Sequence, residues 1–189
     1  MAIQTILVIN KSGGLVYKKE FLNGGHRLTS NEYLVLAGTL QGVIAIAGQL
    51  TPKALQITKN SGIKDVTDQE TLVAYAGPLG ILESQDMGSF MLPDYFTESF
   101  KSWNTSGLKH ITTDQLSLFV FQSLTGVKLV AISTQNSISN VAVSIAENLL
   151  RKVYCLYADY VMKNPFHEAE MPIKCTLFDK KVAEMVSRL

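Results

Sequence analysis

The sequence predicts an α+β domain in which helices pack on the faces of a five-stranded antiparallel sheet. Three observations lead to this prediction: a β-hairpin at the start of the chain, three closely spaced strands in its second half, and two long helical segments rich in apolar residues. The 189 residues are enough for one domain with a sizeable core. Antiparallel strands combined with helices on their faces make an α+β architecture.

The chain opens with a hairpin. Residues Thr5 to Asn10 are largely apolar, partly β-branched and uncharged, as is typical of a buried strand. The turn signal Ser12-Gly13-Gly14 separates them from a second strand at residues 15–21.

A helix follows, for which Thr29, Ser30 and Asn31 offer N-caps and which runs to about Gln49. One set of apolar residues follows the spacing of a single helical face: Tyr33, Ala37, Leu40, Ile44 and Ala47. Three glycines weaken the helix by roughly 1 kcal/mol each relative to alanine: Gly38, Gly42 and Gly48. Small residues at this spacing indicate close packing against a neighbouring element.

Residues 52–106 show no sustained period and contain repeated glycine and proline breakers. A loop of this length is uncommon in a compact domain. We interpret the chain as a single domain, 1–189, with a variable insertion at about 52–106 that has short local structure. Aromatic residues near its end are expected to tether it to the core rather than to form a ligand site: Phe90, Tyr95, Phe96, Phe100 and Trp103.

Three strands with short connections come next, at residues 108–112, 115–122 and 127–133, and predict an antiparallel meander. In the middle strand, apolar side chains point to both sides, so both faces of the sheet should be partly apolar: Leu116, Leu118 and Val120 on one side, Phe119 and Phe121 on the other.

The longest predicted helix spans about Ser139 to Met162. Its apolar residues cover roughly two-thirds of the circumference, more than the ~100° stripe of an ordinary surface helix. Either the sheet and another helix of the same chain sandwich it, or a partner subunit covers part of it.

Composition narrows the classes of function. Apolar residues make up 47% of the chain and charged residues 17%, and the net charge is +1. No basic excess indicates nucleic-acid binding, whereas few charges and much apolar surface fit a protein that is partly buried in an assembly. Cys155 and Cys175 are expected to be reduced thiols. The apolar N-terminus lacks a basic region and is too short to span a bilayer, so we expect a cytoplasmic protein.

No catalytic or cofactor motif appears in the sequence. His26 and His110 stand alone, Asp114 follows a strand in a turn, and His167 lies near Glu168 and Glu170 without further metal ligands. We therefore expect no enzyme activity by the chain alone, no cofactor and no metal.

The segment 162–179 is the most unusual part of the chain. Pro165 and Pro172 prevent a continuous helix and leave Phe166, Met171 and Ile173 in an irregular connection. These apolar side chains either fold back under the core or meet another protein.

Several stretches, in order along nearly all of the chain outside 52–106, resemble the sybindin family. They are Met1-Ala2-Ile3 with the hairpin 8–17, the helix start 28–33, the turn 123–128, and residues 150–154 read with 162–179. The resemblance is greatest to the fungal members. It implies a longin-like (SNARE-like) fold, in agreement with the predicted order of elements.

The resemblance also implies a function. Sybindin proteins are core subunits of the TRAPP vesicle-tethering complex, which promotes GDP/GTP exchange on an early-secretory Rab GTPase in transport from endoplasmic reticulum to Golgi. The implied partners are other TRAPP subunits in a hetero-oligomer and the Rab GTPase, preferentially nucleotide-free, with membranes reached only through the assembly at the endoplasmic reticulum and cis-Golgi. The alternative is a longin-type adaptor module that regulates SNARE or coat proteins without touching a GTPase.

Residues of the segment 162–179 are the candidates for the surface presented to the GTPase or to a neighbouring subunit: Asn164, Pro165, Phe166, Glu170, Met171, Pro172, Ile173 and Lys174. The helices 30–49 and 139–162 are expected to carry subunit contacts. Lys174 stands where the family pattern has arginine, which would weaken a bidentate contact but hardly matter at an exposed one. Residues 22–28 leave no room for the inserted domain of the animal members.

Overall fold

The computed structural model describes residues 3–21, 28–49, 72–73, 100–101, 106, 108–114, 116–134, 140–168 and 170–187. In these ranges the strands are β1 (Ile3–Ile9), β2 (Leu15–Glu20), β3 (Leu72–Val73), β4 (Phe100–Lys101), β5 (His110–Thr112), β6 (Ser117–Gln122) and β7 (Lys128–Ser133). The helices are α1 (Ser30–Gln49), α2 (Asn140–Tyr157), followed directly by a π-helical turn (Ala158–Met162), and α3 (Thr176–Ser187).

The main sheet is antiparallel and has the strand order β2-β1-β7-β6-β5. It joins the predicted hairpin to the predicted meander through the pairing of β1 with β7. The α+β class and both of these predicted units are therefore confirmed. β3 and β4 form a separate two-stranded sheet within the predicted insertion. Nearly all the rest of 52–106 lies outside the described residues, including Phe90, Tyr95, Phe96 and Trp103 of the aromatic cluster.

The strands place apolar side chains on both faces of the sheet because successive residues alternate. In β1, Ile6 and Val8 belong to a core shared with α2 and α3. Leu7 and Ile9 point the other way and pack with the buried face of α1. The domain thus has three layers, with α1 on one face of the sheet and α2 and α3 on the other. The prediction of two apolar sheet faces is confirmed.

A capping box begins α1. The hydroxyl of Thr29 accepts a hydrogen bond from the Glu32 amide (3.3 Å), and the Glu32 carboxylate accepts one from the Thr29 amide (2.6 Å). The predicted core face is confirmed in the buried residues Tyr33, Ala37, Leu40 and Ile44.

The expectation of close packing at the glycines of α1 is wrong for two of them within this chain. A Cβ added at Gly38 or Gly42 would meet no atom of the described residues within 4 Å, because both glycines lie on the outer side of the helix. Only Gly48 approaches a neighbour, the Ser106 carbonyl, at 3.9 Å from the added Cβ.

Most apolar residues in the described part of α2 are buried by the chain itself, between the sheet and α3, whereas Val143, Tyr154 and, in the π-helical turn, Tyr160 are only partly buried. The sandwich within one chain therefore accounts for most of the apolar surface of this helix, and coverage of its partly exposed residues by a partner stays a prediction. The prediction of a regular helix to Met162 needs a correction, since the last turn is π-helical. That turn keeps Val161 buried while the side chain of Met162 faces solvent.

A polar side of α2 is buried too, which the sequence did not predict. It comprises Glu147, Asn148, Arg151 and Lys152. Burial lowers the pKa of Lys152 to about 8, because the ammonium is less well solvated there than in water.

Candidate functional site

The connection between the π-helical turn and α3, residues 163–175, is folded into consecutive tight turns. The Asn164 carbonyl accepts a hydrogen bond from the His167 amide, and the Asn164 side-chain oxygen accepts one from the Phe166 amide, each at 3.1 Å. A further turn follows, in which the Glu168 carbonyl accepts from the Met171 amide at 3.0 Å. Asparagine favours this conformation, because its short side chain can accept a hydrogen bond from the backbone amide two residues further along the chain.

Two hydrogen bonds tie this connection to the N-terminal hairpin. The Ile173 amide donates to the carbonyl of Val16 in the edge strand β2, at 2.8 Å. The Ser12 hydroxyl, in the hairpin turn, donates to the Glu170 carboxylate at 2.8 Å. The connection is therefore held against the hairpin at both its middle and its end, which fixes the direction of the side chains between them.

The first turn of α3 is anchored to β2 by a charged group. Asp179 accepts hydrogen bonds from the Tyr17 hydroxyl (2.9 Å) and from the Lys19 ammonium (2.6 Å). Burial alone would raise the pKa of Asp179, but these two donors outweigh it, so the pKa of the carboxyl is lowered. The ring of Tyr17 also meets Phe178 edge-on, with ring centroids 4.9 Å apart.

The three apolar residues of the connection do not all behave alike: one folds back against the core, and two are exposed to solvent. Ile173 is partly buried and packs against the core shared by the sheet, α2 and α3. Phe166 is 88% exposed and Met171 48% exposed, so both point outward. Of these three residues, therefore, Ile173 alone folds back against the core.

The remaining interface candidates lie at the surface beside these residues. Those with exposed side chains are Asn164, Pro165, Glu170, Pro172 and Lys174. Lys174 is exposed, so its side chain lies at the surface rather than in a buried contact.

A second exposed apolar surface lies on the outer side of α1. It contains four large side chains, Leu34 (54% exposed), Val35 (61%), Val43 (44%) and Ile46 (61%). The signal was present in the sequence, because the helix has only one charged residue, Glu32. The spacing of the core residues alone does not reveal this surface. We call these four residues, with Gly38 and Gly42 between them, the outer face of α1.

Other candidate chemistry is sparse in the ranges that the structure describes. There, no group of three or more His, Cys, Asp or Glu side chains is placed to hold a metal ion. Among the same residues no helix has the length and apolar character needed to cross a membrane. His110 is exposed on β5, His167 is half-buried in the connection, and Asp114 is exposed in the turn before β6. His26 lies outside the described residues.

Comparison with known proteins gives matches over almost the whole chain. The family model of the Sybindin-like family matches residues 3–189. Trafficking protein particle complex subunit 4 of Dictyostelium discoideum is 30% identical over 186 residues, which cover 98% of this chain and 97% of the relative. The subunits of the same name from Mus musculus and Homo sapiens are 29% and 28% identical over 214 and 211 residues, covering 96% of this chain and 92% of each relative.

Proposed function

The chain belongs to the Sybindin-like family, as its motifs predicted, and we propose that it is a non-catalytic core subunit of a trafficking protein particle (TRAPP) complex. Relatives that carry this name match nearly end to end, which supports a role in the same kind of assembly. The observation that carries the proposal is the exposed, uncharged outer face of α1.

Single exposed apolar residues are normal on protein surfaces, but this face gathers four large ones and carries no charge. Thr39, which lies among them, is uncharged and its hydroxyl donates to a backbone carbonyl of the same helix. A helix that is apolar on all sides is normally buried on all sides. The sheet covers only the inner side, at Tyr33, Leu40 and their neighbours. We infer that another subunit covers the outer side. Open space at Gly38 and Gly42 would let the backbone of a partner helix approach closely.

Charge placed on this face tests the proposal. We expect Val35→Lys combined with Ile46→Lys to leave the folded chain intact, because both side chains already face solvent, and to abolish co-purification with the other subunits. The matched control is Leu177→Lys on α3, an apolar residue that is 57% exposed. Normal assembly of the double variant would refute the interface on α1.

We propose further that the connection 163–175 contributes to the surface that promotes nucleotide exchange on an early-secretory Rab GTPase. Two features support this. Phe166 and Met171 point outward, and both are held before binding, Met171 by the hydrogen bonds from its neighbours to the hairpin and Phe166 by the local turn at Asn164. A preorganised surface loses less entropy when it binds. Exchange of this kind makes no covalent bond. Instead, tight binding to the nucleotide-free GTPase weakens its binding of nucleotide, because the two binding sites are coupled.

On this proposal the chain works in the cytoplasm as part of a complex at the endoplasmic reticulum and cis-Golgi, in one domain whose insertion at 52–106 is variable. The test is capture of the reconstituted assembly by the Rab GTPase in its nucleotide-free and GTP-loaded forms. An exchange factor prefers the empty form. Equal capture of both forms, or none, would favour an adaptor that acts on SNARE or coat proteins instead.

A further inference from the structure

A half-open cavity of about 210 Å³, lined by both polar and apolar groups, lies between the C-terminal half of α1 and the ends of β6 and β7. Described residues from these three elements and from the segment before β5 line it: Gln41, Ile44, Ala45, Gly48, Ser106, Gln122 and Lys128. Its volume equals that of about seven water molecules in the liquid, at about 30 Å³ each, so a side chain from outside can enter.

Lys128 brings a positive charge to the cavity wall. It is the first residue of β7, and its side chain lies on the α1 side of the sheet, as do those of Val130 and Ile132. Only 5% of Lys128 is exposed. Its ammonium donates to the Gly126 carbonyl at 3.1 Å, and among the residues that the structure describes no carboxylate forms an ion pair with it.

Buried ammonium groups are normally paired, because the loss of hydration is costly without an opposite charge. Burial accordingly lowers the pKa of Lys128. Gln41 lies on the same wall with its side-chain oxygen buried and without a hydrogen-bond partner among the described residues. Rotation of that amide by 180° would present its NH₂ group to an acceptor in the cavity.

The cavity adjoins the outer face of α1. Ala45 and Gly48 both line it and are both exposed on the helix, next to Ile46 of the outer face. A subunit that covers the outer face would therefore reach the mouth of the cavity.

We propose that the cavity receives an aspartate or glutamate side chain of the subunit that covers α1, and that this carboxylate pairs with Lys128. The inference rests on the proposed function, since it needs a partner on the outer face of α1. It specifies the chemistry of that partner, which is an apolar surface with one acidic side chain at its border.

The test compares Lys128→Met with the control Lys11→Met, an exposed lysine whose side chain lies beside Gly126. Loss of the buried cation should leave the melting temperature of the full-length chain unchanged or raised. It should weaken binding of that chain to the co-expressed subunits at least about 30-fold, because the partner's carboxylate is then buried alone. The control variant should change neither quantity.

A second measurement needs no variant. Amine acetylation, followed by mass spectrometry, should label Lys128 at least tenfold more slowly in the assembly than in the isolated chain, while Lys11 changes little. Equal binding of wild type and Lys128→Met, equal labelling of Lys128 in both states, or a lowered melting temperature of the variant would overturn the inference. Failure of the wild-type chain to bind any other subunit would instead refute the proposed function.

Discussion

Replacement of Phe166 by alanine should separate folding from recognition. The ring is 88% exposed. Full burial of such a side chain is worth about 1.5–3 kcal/mol, so the covered eighth contributes only about 0.3 kcal/mol to folding. The hydrogen bond from the residue's amide to Asn164 does not depend on the ring. Since 1 kcal/mol moves the melting temperature of a chain of this size by about 2–4 °C, we expect a shift of about 1 °C.

Binding should respond much more strongly. If the ring becomes buried against the GTPase, its loss costs about 2 kcal/mol or more, which is a decrease in affinity of about 30-fold. The assay is titration of the reconstituted assembly with nucleotide-free GTPase, together with the rate of nucleotide release. Calorimetry of the full-length chain measures its stability in parallel.

Ile173→Ala is the matched control in the same connection. Ile173 packs against the core, so we expect a loss of about 1–2 kcal/mol in stability and a drop of about 4 °C in melting temperature. A large loss of stability in Phe166→Ala, or normal GTPase binding by an assembly that contains it, would refute the reasoning.

Three further substitutions test the framework that supports this surface. Asp179→Asn should remove a contribution to stability that is present above about pH 4 and lost as the pH falls through the lowered pKa of this carboxyl. Urea unfolding at pH 3, 5 and 7 should therefore show the variant and wild type converging towards pH 3, whereas a constant difference would exclude the pairing with Lys19 as its cause. Gly13→Ala should lower the free energy of unfolding by about 1–2 kcal/mol, because Gly13 has φ of +95° and an added Cβ would lie 3.0 Å from the Gln41 side chain. An unchanged denaturation midpoint would show that the turn adapts to the substitution. Phe178→Ala should lower the free energy of unfolding by about 3–5 kcal/mol and the melting temperature by about 10 °C, because this side chain is fully buried. A shift of only about 2 °C would mean that the packing of Phe178 on α3 adds little to stability.

Features set by near neighbours in the chain could be predicted from the sequence. The hairpin follows from the uncharged, largely apolar run before the turn at Gly13 and Gly14, and α1 follows from the capping residue Thr29 and the spacing of Tyr33 and Leu40. In each case the residues that decide the structure lie within one or two turns of each other.

Features set by distant parts of the chain could not be predicted. Glu147 and Lys152 are of types that usually face solvent, and only the folded chain shows that they are buried on α2. Phe166 and Ile173 are both apolar and stand in one irregular segment. Ile173 is partly buried and Phe166 is exposed because the Ile173 amide is hydrogen-bonded to the carbonyl of Val16, a residue near the other end of the chain.

Crosslinking from α1 tests the central claim, that its outer face is a subunit interface, most directly. A photoreactive benzoyl-phenylalanine at position 35 or 46, and a control at the exposed Lys180 of α3, would be activated in the purified assembly. We predict that positions 35 and 46 crosslink to one other subunit in high yield and that position 180 does not crosslink to that subunit. Absence of crosslinks from 35 and 46 in an intact assembly would show that the outer face stays open to solvent, and would contradict the account.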